Sequence, residues 1–525
     1  MALKNKLRML LHQSDEALFW LLWVIHLLPI WLFTPFPTVD GPAHLYNARI
    51  LLELWRGNAF MTEFYAVNPF VQPNVLSHFM LAIMMLTGIP ALMAEKLLLT
   101  LIVAVFPLAF RRLVHACTRD AGDMVLFVFP FVYGFLFFMG FYNFLLGVVL
   151  GLYGLVLWIR YAEGRTHRLM PALIVVVGLL TLFAHLYAFA WYMMFSGLVV
   201  FGRIISLKRT GMPAHFIRSS VLIWVLPLLP ALYFVVTGQF SGGESHRLSL
   251  ASLWRIIYEV QPAKGLEYGK ANIYTQWIFW LLTLRFFLTV YELSKRNTGI
   301  AAKGAAVSLV LLTLALIVLP DGNALAGVVS QRNGLMWFLA LLVFLAGISL
   351  RPWIKWLGRV VVVAVSVSLL LLYAQALSND QPVARSVAVA ARQVPAGAVV
   401  YVENASGRML HTHVSNYLGA TRGLVISDNY QAALPYFPVS WNLRNLPVLH
   451  LGEMSKPVKS WPVAGGLLNR QADYVLVITE GQAEPSQAGI LANQQYFKGL
   501  YALIYQDPAR MVSLYRRLPV SIFDL

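Results

Sequence analysis

Repeated apolar runs, each long enough to cross a bilayer, constrain this chain more than any other feature of its sequence. A helix needs about 20 apolar residues to span the hydrocarbon core. Such runs begin near residues 17, 94, 124, 142, 169, 187, 219, 272, 303, 333 and 357, and a shorter run covers 75–90. Only 12% of the residues are charged, about half of what a soluble protein needs to cover its surface. We therefore predict a polytopic α-helical membrane protein.

The lysines and arginines between these runs predict the orientation of the chain. The formal net charge is +17, but the basic residues form short groups after every second run, which argues against nucleic-acid binding and fits cytoplasmic loops that contact anionic lipid. All groups are cytoplasmic only if 75–110 crosses the membrane once, so 75–90 is interpreted as a juxtamembrane or re-entrant helix. About 11 spans result, or 13 if one pair is missed, in an inner or plasma membrane with a cytoplasmic N-terminus.

The same alternation places three long segments on the extracytoplasmic side: 35–93, 239–271 and everything after about 377. The first apolar run lacks a small-residue cleavage site and is interpreted as an uncleaved span. We predict a transmembrane domain over 1–377, with a first extracytoplasmic loop over 35–93, and an extracytoplasmic α/β domain over 378–525. Its predicted elements are a helix over Ala384–Val394 and strands over Ala398–Val402, Gly423–Ser427, Val448–Leu451, Tyr474–Ile478 and Met511–Tyr515.

The densest polar sequence follows the first span, at Pro37–Asn47. A helix is predicted from Ala43 to Arg56, after Gly41 and Pro42 end the span. Asp40, His44 and Asn47 then share one helical face. His44, Asn47 and the adjacent Tyr46 are expected to bind substrate. An acid and an imidazole at one spot suit proton removal from a hydroxyl, whereas Asp40 as a helix cap is the structural alternative.

A long first extracytoplasmic loop that opens with Asp40, 11 to 13 spans and a terminal extracytoplasmic α/β domain together resemble the GT-C superfamily. These are membrane glycosyltransferases such as the protein O-mannosyltransferases and the lipid A aminoarabinose transferases. The resemblance implies that Asp40 acts at the acceptor and that the donor is a polyprenyl-phosphate-linked sugar. Gly41 stands where the family usually has a second acid, so a single carboxylate is expected to act as base, without a metal or other cofactor.

Further polar residues lie at the predicted outer boundary. His185, beside Tyr187, is expected at the level of Asp40, although a histidine in an apolar run is more often a packing residue. Arg332 lies where positive-inside statistics disfavour a cation, and it suits a lipid phosphate. Asp321 is expected to bind substrate, as are His185 and Tyr187; an ion pair between Asp321 and Arg332 is the alternative. Arg247 and Lys264 belong to a basic outer loop that either attracts a phosphate headgroup or anchors to headgroups.

Other histidines carry weaker signals. His44, His78 and His185 lack the spacing of zinc ligands, and no metal site is predicted. His411 and His413 alternate in the C-terminal domain and are expected at its surface. The lone Cys117 excludes an internal disulfide.

The sequence as a whole favours an inverting transfer of sugar from a polyprenyl phosphate to a glycan, lipid or protein acceptor at the extracytoplasmic face. One alternative is an oligosaccharide ligase or polymerase that uses a lipid-linked donor. Another is a non-catalytic transporter or scaffold for envelope assembly. A transporter places ionisable residues at mid-bilayer, and Arg285 is one residue of that kind.

Overall fold

The computed structural model describes residues 2–68, 73–118, 122–165, 167–208, 214–236, 246–293, 300–322, 327–348, 350–442, 472–479 and 501–519. Its helices are α1 (Ala2–Leu32), α2 (Gly41–Trp55), α3 (Ala59–Phe64), α4 (Leu76–Leu86), α5 (Ala91–Cys117), α6 (Phe135–Phe138), α7 (Tyr142–Ala162), α8 (Met170–Ala184), α9 (Leu186–Lys208), α10 (Ala214–Val225), α11 (Leu228–Val236), α12 (Leu250–Tyr258), α13 (Tyr268–Leu293), α14 (Ile300–Val318), α15 (Val329–Ala346), α16 (Pro352–Ala390) and α17 (Tyr417–Ala420).

Eight stretches within the described ranges are helical, long and apolar enough to cross a membrane. They lie in α1, α5, α7, α9, α10 with α11, α13, α15 and α16. The other predicted spans correspond to shorter apolar helices, at Asp123–Phe138, Met170–Ala184 and Lys303–Val318, and 75–90 is the short helix α4. The chain is therefore a multi-pass membrane protein.

The predicted span over 124–139 has a different local structure from the others. Residues Gly122–Phe131 form a 3-10 helix with Pro130 inside it, and the short α6 follows. Proline lacks the N–H that an α-helix interior needs, so this apolar segment does not form one continuous α-helix.

The described residues divide into two compact units. Unit 1 comprises Met1–Pro29 and Thr100–Ala376, and unit 2 comprises Ile30–Leu99 and Leu377–Leu525. The first predicted outer loop thus belongs with the C-terminal segment, a grouping different from the predicted domains 1–377 and 378–525. Hydrogen bonds between residues far apart in sequence, described below, account for this grouping.

Unit 2 contains two β-sheets. Strands β2 (Val399–Asn404), β3 (Val425–Ile426), β5 (Tyr474–Ile478), β6 (Tyr501–Gln506) and β7 (Val512–Arg517) form one sheet of order β3-β2-β5-β7-β6. The first three strands are parallel, and β7 is antiparallel to both β5 and β6. Strand β1 (Tyr65–Val67) pairs antiparallel with β4 (Val439–Trp441). The C-terminal sheet confirms the predicted α/β character; the predicted strand Val448–Leu451 lies outside the described residues.

The separate helix predicted over Ala384–Val394 is instead the end of the long α16, followed by a 3-10 turn at Ala391–Gln393. Tertiary contacts satisfy the polar residues of α16 that lie just before Ala384. Asp380 lies 2.7 Å from the Arg408 guanidinium, and Gln381 donates to the Thr34 carbonyl at 2.6 Å.

Candidate functional site

Asp40 occupies the N-cap position of α2, but its side chain makes no capping hydrogen bond. The Thr38 hydroxyl accepts from the backbone N–H of Gly41 instead, at 3.1 Å. Pro42 in the first turn has no N–H that requires a partner. The helix therefore begins without using the Asp40 carboxylate, and the capping alternative for this residue is wrong.

The Asp40 carboxylate lies against two rings from the C-terminal segment. The Nε2 atom of His413 is 3.8 Å from Asp40 Oδ1, and the Tyr430 hydroxyl hydrogen-bonds to Asp40. The rings of His413 and Tyr430 stack with centroids 4.2 Å apart at an interplanar angle of 20°. Together, Asp40, His413 and Tyr430 form what we call the Asp40 cluster.

His413 is the residue of this cluster that the sequence analysis missed. It was expected at the surface, yet it is 3% exposed, and His411 is 1% exposed. Neither ring nitrogen of His413 has a hydrogen-bond partner among the described residues. Burial lowers the pKa of His413 to about 3 and, together with Asp40, raises the pKa of Tyr430. Both rings are therefore neutral beside Asp40 at physiological pH.

His44 and Asn47 share the face of α2 predicted for them, but they face an amide network. His44 Nδ1 lies 3.0 Å from His78 Nε2 and 3.1 Å from Gln431 Nε2. Asn47 donates to Asn429 at 2.8 Å and to Gln431 at 3.2 Å. Because Gln431 also donates to the Tyr430 hydroxyl at 3.3 Å, this network supports the Asp40 cluster from behind.

Tyr46 is completely buried, and its hydroxyl is used in backbone contacts. It donates to the Leu424 carbonyl at 2.6 Å and accepts from the Ile426 N–H at 3.1 Å. Gly419 packs against the ring so closely that a Cβ there would lie 2.4 Å from a ring carbon. These contacts give Tyr46 a structural role, in place of the substrate-binding role predicted for it.

In unit 1, Arg332 forms the centre of a second polar region, at the start of α15. Its guanidinium carbon lies 4.6 Å, 5.4 Å and 6.0 Å from the ring centroids of Phe141, Phe144 and Tyr187. The residue is 6% exposed. A guanidinium over aromatic faces keeps its planar hydrogen-bonding edge oriented, which suits recognition of an oxyanion.

His185 lies beside Arg332 in the same aromatic region. Its ring is 5.3 Å from the Phe144 ring and 6.2 Å from that of Tyr187. Its Nδ1 accepts the backbone N–H of Tyr187 at 3.1 Å, so the proton of a neutral ring is on Nε2. The structure thus brings His185, Tyr187 and Arg332 together.

Asp321 caps the helix that carries Arg332. Its Oδ1 accepts from the Ser330 N–H at 2.8 Å, and its Oδ2 lies 3.8 Å from His246 Nε2. The carboxylate stabilises the positive end of α15. These contacts assign Asp321 to helix capping, whereas an ion pair with Arg332 or contact with substrate was predicted.

The basic loop that was predicted to be extracytoplasmic is less cationic than its sequence indicates. Lys264 is 1% exposed and donates to Glu259 and Asn272, at 2.7 Å in each case. Arg255 lies 3.8 Å from the same Glu259. Lys264 is therefore neutralised inside the fold, in place of the phosphate contact predicted for it, while Arg247 is exposed.

Arg285, the residue that favoured a transporter, lies in a buried ion pair with Asp123. Arg359 makes a similar two-point contact with Asp15, at 2.5 Å and 3.0 Å. Paired charges of this kind satisfy each other inside the fold, so Arg285 gives no support to a transport pathway. In the described ranges no three His, Cys, Asp or Glu side chains are grouped to hold a metal ion.

Comparison with known proteins identifies the fold. The sequence matches no family model and no curated protein. The structure is similar to that of the arabinofuranosyltransferase AftD from mycobacteria, with a TM-score of 0.52 and 15% sequence identity. The alignment covers 95% of this chain and 40% of AftD. The polytopic helical fold predicted from the sequence is thereby confirmed as one that this chain shares with AftD.

Proposed function

We propose that this protein is a membrane glycosyltransferase that moves a sugar from a polyprenyl-phosphate donor to a hydroxyl acceptor, with inversion at the anomeric carbon. The proposal rests on the environment of the Asp40 carboxylate. Asp40 directly precedes α2, but its carboxylate makes no capping hydrogen bond and lies against the neutral rings of His413 and Tyr430. The shared fold with an arabinofuranosyltransferase supports it.

In the proposed reaction, Asp40 is the general base. As the acceptor oxygen bonds to the anomeric carbon, its proton passes to the Asp40 carboxylate. The bond from the anomeric carbon to the phosphate oxygen breaks, and its electron pair leaves with the phosphate. A phosphate leaves as an anion, so it needs charge stabilisation more than a proton.

Arg332 is proposed to supply that charge. Its guanidinium is held over three aromatic rings, and a planar guanidinium binds phosphate oxygens in pairs. His185 Nε2–H is a neutral donor in the same region. The exposed Arg247 is proposed to draw the anionic headgroup toward the membrane surface.

We place the protein in the inner or plasma membrane, with a cytoplasmic N-terminus and an extracytoplasmic C-terminal segment. The positions of the basic loop groups support this orientation. The donor would come from the outer leaflet, and the acceptor would be a glycan, lipid or protein.

The experiment is a transfer assay on the full chain in lipid nanodiscs, with labelled polyprenyl-phosphate sugars as donors and octyl glycosides as acceptors. We expect transfer without added nucleotide, and a product with the opposite anomeric configuration. Reporter fusions at Arg165 and Ser406 should read cytoplasmic and external. Absence of transfer from every donor, or a cytoplasmic signal at Ser406, would contradict the proposal.

An oligosaccharide ligase or polymerase is the second candidate, favoured by the joint placement of His185 and Arg332. Such an enzyme would use a lipid-linked oligosaccharide and would not need Asp40. The same assay with a lipid-linked oligosaccharide distinguishes the two candidates, because only the ligase transfers a whole chain.

A further inference from the structure

We propose that His413 is a second catalytic residue, which binds the acceptor hydroxyl together with Asp40 and restricts the acceptor to an oxygen nucleophile. The inference rests on the proposed function and identifies the chemistry of the acceptor at that site.

The separation of the two side chains fits one bridging oxygen. His413 Nε2 and Asp40 Oδ1 are 3.8 Å apart, too far for a direct hydrogen bond. A hydroxyl oxygen about 2.7–3.0 Å from each atom closes this gap with ordinary hydrogen-bond lengths. The hydroxyl would donate its proton to Asp40 Oδ1 and accept from His413 Nε2–H.

The environment of His413 points to a ligand more than to packing alone. The ring is 3% exposed, and both of its nitrogens lack a partner among the residues that the structure describes. A buried polar group without a partner costs about 1–3 kcal/mol. The nearby His411, also buried, differs in that its Nδ1 has a hydrogen-bond partner, the Ser406 hydroxyl at 2.8 Å.

Stacking on Tyr430 fixes the orientation of the His413 ring. Tyr430 stacks on its face, and the Tyr430 hydroxyl is held by both Asp40 and Gln431. Such support keeps the Nε2 edge directed at the same spot as the carboxylate, as a preorganised site requires. The ring contributes a neutral donor and takes no part in the proton balance: the proton moves from the acceptor oxygen to Asp40.

This donor and acceptor pair selects among nucleophiles. An alcohol can donate to Asp40 and accept from Nε2–H at once. The nitrogen of a carboxamide or an ammonium group has no lone pair to accept with, and a carboxylate has no proton to give and is repelled by Asp40. The acceptor is therefore a hydroxyl, as in a glycan, and not the amide nitrogen of an asparagine.

The test compares two substitutions at His413 in the full chain in nanodiscs. His413→Gln keeps an N–H donor of similar reach, and His413→Phe keeps the stacking on Tyr430 but has no donor. We expect His413→Phe to lower kcat/KM for octyl glycoside acceptors by about 10–100-fold, with the KM of the donor unchanged, and His413→Gln to recover most of the loss. His411→Gln is the control for a buried histidine outside the cluster.

A binding measurement separates this inference from the proposed function. Methyl glycosides should raise the melting temperature of the wild-type protein saturably, and His413→Phe should abolish that rise. Binding without any transfer would support the hydroxyl-binding site and contradict the proposed glycosyltransferase function. If His413→Phe transfers sugar as fast as the wild-type protein, or faster than His413→Gln, the proposed role of His413 is wrong, and the proposed function is unaffected.

Discussion

Two aspartates at the start of two helices show how differently one residue type is used in this molecule. Asp321 accepts from the Ser330 N–H and stabilises the first turn of α15. Asp40 directly precedes α2, yet Thr38 supplies the hydrogen bond there and the carboxylate lies against His413 and Tyr430. One carboxylate contacts the first turn of its own helix, and the other contacts two rings from a distant part of the sequence.

The difference teaches that a helix N-terminus does not by itself decide what its acid does. Asp is a good N-cap residue, so the sequence position of Asp40 allowed both capping and catalysis. A neighbouring hydroxyl, Thr38, decided between them at Asp40.

The largest expected effect comes from Asp40→Asn. The amide keeps the size of the side chain but cannot take a proton, so we expect kcat for sugar transfer to fall by about 10²–10⁴-fold, with expression and melting temperature unchanged. The measurement is transfer in nanodiscs at matched protein amounts. Wild-type turnover in this variant would remove Asp40 from the mechanism.

Arg332→Ala tests the residue that Asp321 helps to position by capping α15. Loss of a charged hydrogen bond of about 1.5–3 kcal/mol should raise the KM of the polyprenyl-phosphate donor by roughly 10–100-fold and leave the KM of the acceptor near normal. Arg332→Lys keeps the charge but cannot make two parallel hydrogen bonds, so its KM for the donor should lie between those of the wild-type protein and Arg332→Ala. Arg255→Ala, at an exposed cation, is the control; an equal change in both KM values would contradict phosphate binding.

Asp321→Ala should affect stability more than chemistry. Removing an N-cap costs about 1 kcal/mol, and Asp321→Asn should restore it. The corresponding variants at Asp40 should behave differently. Asp40→Ala should leave stability unchanged, and Asp40→Asn should lower activity. The measurement is the apparent melting temperature of the four variants. A stability loss in Asp40→Ala as large as in Asp321→Ala would contradict the claim that only Asp321 caps a helix.

The smallest expected effect concerns Asp428, whose carboxyl accepts from the Ser415 hydroxyl. Burial raises the pKa of Asp428 to about 6, above the usual value near 3.9. The folded state then favours the protonated form, so its stabilising contribution is present below about pH 4 and is lost as the pH rises through about 6. Asp428→Asn should flatten the fall in melting temperature between about pH 4 and pH 6; an unchanged slope would count against the raised pKa.

Local patterns predicted much of this fold, because span length, loop charge and strand alternation are written in neighbouring residues. Strand β5 was predicted with its observed bounds, Tyr474–Ile478. The three-residue strands β1 and β4 were missed, since each depends on a partner more than 370 residues away, such as Tyr65 opposite Trp441.

The site was harder to predict than the fold for the same reason. Asp40 stood out because it directly follows a membrane span. His413 did not, since alternating histidines are typical of an exposed edge, and only tertiary packing between short 3-10 turns buries it. Lys264 appeared to be free in the sequence because nothing there indicates its contact with Asn272.

The long-range contacts behind α2 also set an order of events during synthesis. The hydrogen-bond partner of Asn47, Asn429, is synthesised 382 residues later, and that of His44, Gln431, is synthesised 387 residues later. At roughly 5–20 residues per second, the polar face of α2 has no permanent partner for about 20–80 s while the spans between are being inserted. A nascent chain therefore contains Asp40 long before it has the histidine beside it, and a ribosome that stalls before His413 leaves a membrane-bound chain without the Asp40 cluster.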